Sequence, residues 1–201
     1  MEQRTEEWFT VRLGKVTASK VGDVLAKTKS GPSASRTNYL AELVAERLTG
    51  EAYEQFTNAA MAWGTEQEPY ARDAYERRED LFIQEIGFVP HPTIYMSGAS
   101  PDGLVGNDGL VEIKCPNTAT HIKNLLGGKI EKKYFSQMQW QMECTGRSWC
   151  DFVSYDPRLP EKMSLHVQRV ERDEAFLEET RAAIEVFLLE VAETVTGLEA
   201  L

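Results

Sequence analysis

Ser100-Pro101-Asp102-Gly103, followed by Leu110-Val111-Glu112-Ile113-Lys114-Cys115, constrains the fold of this chain more than any other stretch. The second run alternates. As a strand it turns Glu112 and Lys114 to one face and Val111, Ile113 and Cys115 to the other. Asn107-Asp108-Gly109 reads as a turn. A hairpin there brings Asp102, at the end of the preceding strand, next to Glu112. Mg²⁺ takes hard oxygen ligands and keeps several waters, so one or two carboxylates plus a substrate phosphate suffice to hold it. The ion lowers the pKa of a bound water and stabilises charge on phosphate oxygens. A lysine beside it can orient the attacking water. The same residues also fit a surface hairpin with an ordinary salt bridge, because charged residues make up 27% of the chain. Spacing alone leaves both readings open.

The rest of the chain supplies elements to surround this hairpin. Trp8 to Leu25 reads as a short helix and turn, with Thr17-Ala18-Ser19 offering capping hydroxyls. Thr28 to Ser33 reads as a loop, and Ser35 as the cap of a helix to Leu48 ended by Gly50. A longer helix is expected from Asn58 to Glu79, with Ala59, Ala62, Trp63, Tyr70, Ala74 and Tyr75 as its apolar stripe. Strands are expected at Leu81–Val89, Thr93–Ser97, Gly103–Val105 and Leu110–Cys115. Helices at Thr118–Leu126 (stopped by Gly127-Gly128) and Lys133–Cys144 follow, then strands at Trp149–Tyr155 and Met163–Val170. A helix from Asp173 to Val195 closes the chain. This order predicts an α/β (α+β) fold, a central mixed sheet flanked by helices. With 201 residues, the expectation is a single domain over residues 1–201. There is no Gly-rich phosphate loop to suggest a nucleotide-binding fold.

No apolar run approaches the roughly 20 residues of a membrane span, and residues 1–7 lack a signal-peptide core. Cys115, Cys144 and Cys150 have no metal-ligand spacing and read as buried thiols in a reducing compartment. The expected location is the cytoplasm, with no membrane partner. A net charge of −10 argues against a generic nucleic-acid binder. The acid is unevenly placed, however. Residues 51–100 hold 3 Lys/Arg against 9 Asp/Glu, and residues 151–201 hold 5 against 12. Residues 1–50 hold 8 against 6, and residues 101–150, which carry the hairpin, 6 against 5. A local basic surface can still bind phosphate there.

Four other groups of residues bear on the hairpin. Glu66 or Glu68 can face it from the long helix, and helical spacing does not choose between them or exclude a solvated acidic face. Arg12, Thr17 and Ser19 offer a guanidinium and hydroxyls suited to a phosphate, and equally a capped helix with a surface arginine. Tyr134, Gln137 and Gln141 share a helix face that Gln139 does not. Lys129, Lys132 and Lys133 form a small basic cluster before that helix, either a DNA-backbone contact or merely solvated. His91, His121 and His166 have no partner at metal spacing.

Taken together, the ordered motifs resemble those of the lambda exonuclease (YqaJ-type viral recombinase) family in the PD-(D/E)xK nuclease superfamily. They are Trp8…Arg12-Leu13-Gly14, Thr17-Ala18-Ser19, Ala62-Trp63-Gly64 with Glu68, Ser100-Pro101-Asp102-Gly103-Leu104 and Glu112-Ile113-Lys114-Cys115-Pro116. Gly127-Gly128, Tyr134 with Gln137, Tyr155-Asp156-Pro157-Arg158 and Glu171-Arg172-Asp173-Glu174 complete the set. The resemblance implies a Mg²⁺-dependent 5′→3′ exonuclease on double-stranded DNA ends, with Mn²⁺ expected to substitute. It would release mononucleotides and leave a 3′ strand for a single-strand annealing partner. It also implies a ring-shaped homotrimer of phage or prophage origin in a bacterial host. By position, Asp102, Glu112 and the Ile113 carbonyl match metal ligands, Lys114 the water-positioning lysine and Glu68 the supporting helix carboxylate. Arg12, Ser19, Ser100 and Gln137 match a 5′-phosphate pocket, with Thr17 and Tyr134 nearby. An endonuclease built on the same core and a non-catalytic binding protein are the competing expectations.

Overall fold

The computed structural model describes every residue except Met1, Ser30 and residues 54–57. Helix α1 (Glu6–Arg12) leads through β1 (Val16–Thr17) and a 3-10 turn (Ala18–Lys20) into α2 (Val21–Leu25). Strands β2 (Lys27–Thr28) and β3 (Gly31–Pro32) pair antiparallel, and helices α3 (Ala34–Thr49) and α4 (Ala59–Glu79) follow. The loop expected at 28–33 is thus this small pair, with Ser30 outside the described residues. Next come β4 (Ile83–Gln84), β5 (Val89–Pro90), β6 (Ser97–Ala99), β7 (Gly103–Val105) and β8 (Gly109–Lys114). The chain continues through α5 (Thr118–Leu125), α6 (Lys132–Thr145), β9 (Trp149–Tyr155), α7 (Glu161–Ser164), β10 (Leu165–Glu171) and α8 (Glu174–Glu199).

The expected mixed sheet is present. Its strand order is β10-β9-β8-β7-β4, with β8 parallel to β9 and the other neighbours antiparallel. The central strand β8 is covered on both faces. On one, Val111, Ile113 and Cys115 cluster with Val105, Val153 and the α4 residues Ala71 and Tyr75. On the other, Leu110 packs with Phe152 and the α6 residues Met138 and Met142. A third cluster joins Val21, Tyr39, Leu43, Trp140, Ile184 and Phe187, binding α2, α3, α6 and α8 together.

Several expected details are corrected. Strand Leu81–Val89 is two fragments in different sheets: Ile83 pairs with Val105 in the large sheet, and Val89 with Ala99 in the small sheet β1-β6-β5. Thr93–Ser97 is mostly a turn. His91 Nδ1 accepts from the Thr93 and Ile94 amides (3.1 and 2.9 Å), and the strand begins only at Ser97. Ser33, not Ser35, caps α3, accepting from Arg36 N at 3.2 Å. The buried face of α4 is Gln67, Ala71 and Tyr75, and Tyr70 points outward. That choice lets the Tyr75 hydroxyl donate to the buried Asp151 at 2.7 Å. Residues 161–164 are helical, so β10 starts at Leu165. The Gly127-Gly128 stop is as expected. Gly128 N donates to Lys123 O and Gly127 N to Asn124 O, with Gly127 at φ +77.

Candidate active site

The hairpin register places the charges. Gly103 pairs with Val111, so Asp102 lies one step beyond, level with Glu112. Asp102 Oδ2 accepts from Ile113 N at 2.7 Å, which locks the carboxylate to the strand. Along the α6 face, β8 passes from buried Leu110 to Glu112, which is fully buried, and on to Lys114, 28% exposed at the open end.

Glu112 is buried but well partnered. Gln137 Nε2 donates to its Oε1 at 2.7 Å, Gln141 Nε2 to its Oε2 at 2.6 Å, and Lys114 Nζ also pairs with Oε1. A buried carboxylate persists only with such donors. The α6 face carrying Tyr134, Gln137 and Gln141 therefore covers Glu112. Gln139, on another face, bonds Glu171 O and Asp173 N instead. Lys114 Nζ and Lys133 Nζ lie over the Tyr134 ring, 5.3 and 4.6 Å from its centroid.

Glu68, rather than the exposed Glu66, faces the hairpin. Arg72 Nη2 lies 3.2 Å from Glu68 Oε1 and 3.4 Å from the Asp102 carbonyl. Asp102 is held above the ordinary carboxylate range, first by burial and then by the charges of Glu112 and Glu68, with Lys114 and the Ile113 amide pulling the other way. Burial would lower the Lys114 amine, but Glu112 and Asp102 outweigh it and keep Lys114 firmly protonated.

This arrangement fits a hard divalent cation. Burial first, and then the charges of Glu112 and Glu68, raise Asp102, and an added cation would offset that cost of ionising it. Among the described residues no group of three or more His, Cys, Asp or Glu side chains forms a ready metal cage. Mg²⁺ does not require one, since it keeps waters and takes substrate oxygens.

Two residues before Asp102, Ser100 joins a second cluster. Its Oγ accepts from Arg12 Nη1 and Trp8 Nε1, both at 3.0 Å. With its lone pairs so used, the hydroxyl proton is left to donate. The Arg12 guanidinium stacks 3.8 Å from the Trp8 ring centroid. Burial pulls its pKa down to about 10, against Tyr39 and Glu46. An anion there would offset that desolvation. A cavity of about 320 Å³ opens beside Arg12, with Trp8, Lys15, Thr17, Lys20 and Tyr53 among its lining. Thr17 and Ser19 make no cap: Thr17 precedes the 3-10 turn without a side-chain cap bond, contrary to expectation. Their hydroxyls lie 3.4 Å apart. The turn and α2 both pack against α6, and a Cβ on Gly22 of α2 would lie 3.3 Å from Lys133 Cα. Lys20 is paired with Glu42 at 3.0 Å.

The residues picked from sequence thus gather around one surface region, with Gln137 placed against Glu112 in this arrangement. Arg72 was not among them, and Gln141 was placed on the Tyr134–Gln137 face without a role at the site. Each lies four residues along its helix from a chosen partner, Glu68 and Gln137, and that spacing is the signal for both. The buried histidines play no part: His121, for example, is 2.7 Å from Ser154 Oγ and 2.8 Å from Met163 O. All three cysteines are buried and free.

Residues 7–148 match the model of the YqaJ-like viral recombinase domain. Among solved structures, an alkaline exonuclease from Laribacter hongkongensis is 52% identical over 98% of this chain and 97% of that one, with a TM-score of 0.91. The same enzyme in complex with dAMP gives 0.92. A phage-related exonuclease from Haemophilus somnus, 13% identical over 92% of this chain and 96% of its own, gives 0.71 and shows a likeness of fold alone. No curated protein matches significantly. The fold is the mixed, PD-(D/E)xK-like core expected from the sequence.

Proposed function

The chain belongs to the YqaJ-like viral recombinase family, and from that premise we propose that it is a Mg²⁺-dependent 5′→3′ exonuclease. It degrades one strand of linear double-stranded DNA to mononucleotides and leaves a 3′ overhang for annealing. The observation that carries this reading is the Ser100-Pro101-Asp102 link. One end is held in the Arg12–Trp8 cluster, and the other lies in the carboxylate centre. An anion-suited pocket two residues from a cleavage centre is what an end-dependent nuclease needs.

In this reading Arg12, Ser19 and Ser100 receive the 5′-phosphate, with Thr17, Gln137 and Tyr134 beside them. Asp102, Glu112 and the Ile113 carbonyl would hold Mg²⁺ or Mn²⁺, and Glu68 would support them. The ion, when bound, supplies an activated water and offsets charge on the scissile phosphate. Gln137 and Gln141 fix the Glu112 carboxylate. Lys114 stays charged, so it orients the water and balances phosphate charge rather than taking a proton. The Laribacter exonuclease forms a complex with dAMP, a molecule of the product class proposed here.

The proposal extends to a single nuclease domain over residues 1–201, a ring-shaped homotrimer on the duplex, and a single-strand annealing partner in the cytoplasm of a bacterial host. Among the described residues no helix is long and apolar enough to cross a membrane. The test is a time course on linear duplex labelled separately at each end, with Mg²⁺ and with chelator, beside a covalently closed circle. Early Mg²⁺-dependent release of 5′ label, and an intact circle, are expected. Early release of 3′ label or cutting of the circle overturns the reading.

A further inference from the structure

Residues 3 and 4 reach residues beside and within the carboxylate cluster. Gln3 Nε2 donates to the carbonyls of Ile86 (2.9 Å) and Pro101 (2.7 Å), and Pro101 immediately precedes Asp102. Thr5 caps α1, accepting from Trp8 N at 3.3 Å. Between these anchors Arg4 sits at φ +67. That left-handed conformation costs a non-glycine residue about 1–2 kcal/mol. Glycine would adopt it freely. An arginine held there invites a functional explanation.

The guanidinium supplies one. Arg4 Nη2 pairs with Glu68 Oε2, while Arg72 takes Oε1. The two arginines are placed differently. Arg72 is 15% exposed, also reaches the Asp102 carbonyl and pairs with Glu85, so it belongs to the scaffold. The Arg4 side chain is 51% exposed, and Glu68 is its one ion-pair partner among the described residues.

We propose that Arg4 is a tethered counter-cation of the active site, which occupies Glu68 in the metal-free protein and competes with the divalent ion for the carboxylate cluster. This rests on the metal-site reading above. Asp102, Glu112 and Glu68 lie beside Lys114, Arg72 and Arg4, and Arg72 is shared with Glu85, so Arg4 is the exposed positive charge that an arriving cation meets at Glu68. Removing Arg4 takes one positive charge away from the ion and frees one Glu68 oxygen. A unit charge about 6 Å from a divalent ion, under water-like screening, changes binding about tenfold. Half exposure trims that to about three- to tenfold.

The test is calorimetric titration of Mn²⁺ into the metal-free protein without DNA, comparing wild type, Arg4→Lys and Arg4→Gly. Glycine preserves the backbone conformation, and melting curves verify the fold. Arg4→Gly is expected to bind Mn²⁺ about three- to tenfold more tightly, with the difference shrinking as salt is raised. Arg4→Lys is expected to bind less tightly than Arg4→Gly. Unchanged affinity in Arg4→Gly overturns the proposal. Weaker affinity overturns it too, since Arg4 would then be orienting Glu68 for the ion. If wild type takes up no divalent ion, the metal-site reading falls along with the proposal, a result distinct from equal binding by both proteins.

Discussion

Replacing Lys114 by methionine probes how the carboxylate centre is balanced. Glu112 is fully buried, and among the described residues its one cationic partner is Lys114, its other donors being the neutral amides of Gln137 and Gln141. Removing one partner of a buried pair costs about 3–5 kcal/mol, because the remaining charge is left uncompensated. The two amides and the partial exposure of Lys114 place this case near about 3 kcal/mol. For a chain of this size that lowers the melting temperature by about 6–12 °C. Asp102 loses the same cation, so the metal-free centre of the variant carries one more uncompensated negative charge. A divalent ion should therefore return more stability to Lys114→Met than to wild type, up to about 2.7 kcal/mol at a hundredfold excess over Kd. Scanning calorimetry with chelator and with Mg²⁺ reads both quantities. A variant that melts within about 2 °C of wild type, or that gains no more from Mg²⁺ than wild type does, refutes the reasoning.

Four further outcomes are expected. Arg12→Lys keeps the charge but loses the planar fork, so it should slow digestion of 5′-phosphorylated ends about tenfold and of 5′-hydroxyl ends much less, measured on matched duplexes. Tyr75→Phe removes a hydrogen bond to the buried Asp151 carboxylate and should cost about 1.5–3 kcal/mol in denaturant titrations. Burial disfavours the Glu143 carboxylate, but Arg181 and Arg172 outweigh it and hold its pKa below the ordinary value. A depressed folded pKa gives stability that is present above the unfolded pKa and lost as pH falls through the folded one. Glu143→Gln should therefore melt lower than wild type at neutral pH and converge on it below about pH 4, in melts taken across pH. Gly22→Ala should push α2, and the 3-10 turn that leads into it, away from α6, lowering the rate of duplex digestion while costing at most about 2 kcal/mol in melting curves.

Much of this was legible in the chain because it depends on local rules. Alternation placed Glu112 opposite Val111 and Ile113, and the Asn107-Asp108-Gly109 signal gave a hairpin that brings Asp102 next to Glu112; the turn itself is residues 106–108, with Gly109 already paired to Val105. The shared face of Gln137 and Gln141 follows from helical spacing, and the structure puts both on Glu112. What escaped was set by distant partners. Strand Leu81–Val89 divides because each end pairs with a different sheet, which no local pattern encodes. On α4 the expected Tyr75 is buried, held by Asp151 from 76 residues away, but Gln67 and Ala71 join it in place of the exposed Tyr70, because tertiary packing and not apolar spacing sets that face. Arg4 gave no sequence signal at all, since its partner Glu68 lies 64 residues on and its backbone conformation is visible only in the fold.

In the proposed mechanism DNA cleavage depends on Asp102, bound to the strand through Ile113 and next to Glu112. The most direct measurement is the rate of mononucleotide release from 5′-phosphorylated linear duplex at saturating Mg²⁺ by Asp102→Ala, beside wild type, with melting curves for both. The expected result is a fall of several orders of magnitude in a protein that still melts cooperatively. Near-normal release by a folded Asp102→Ala protein would contradict it.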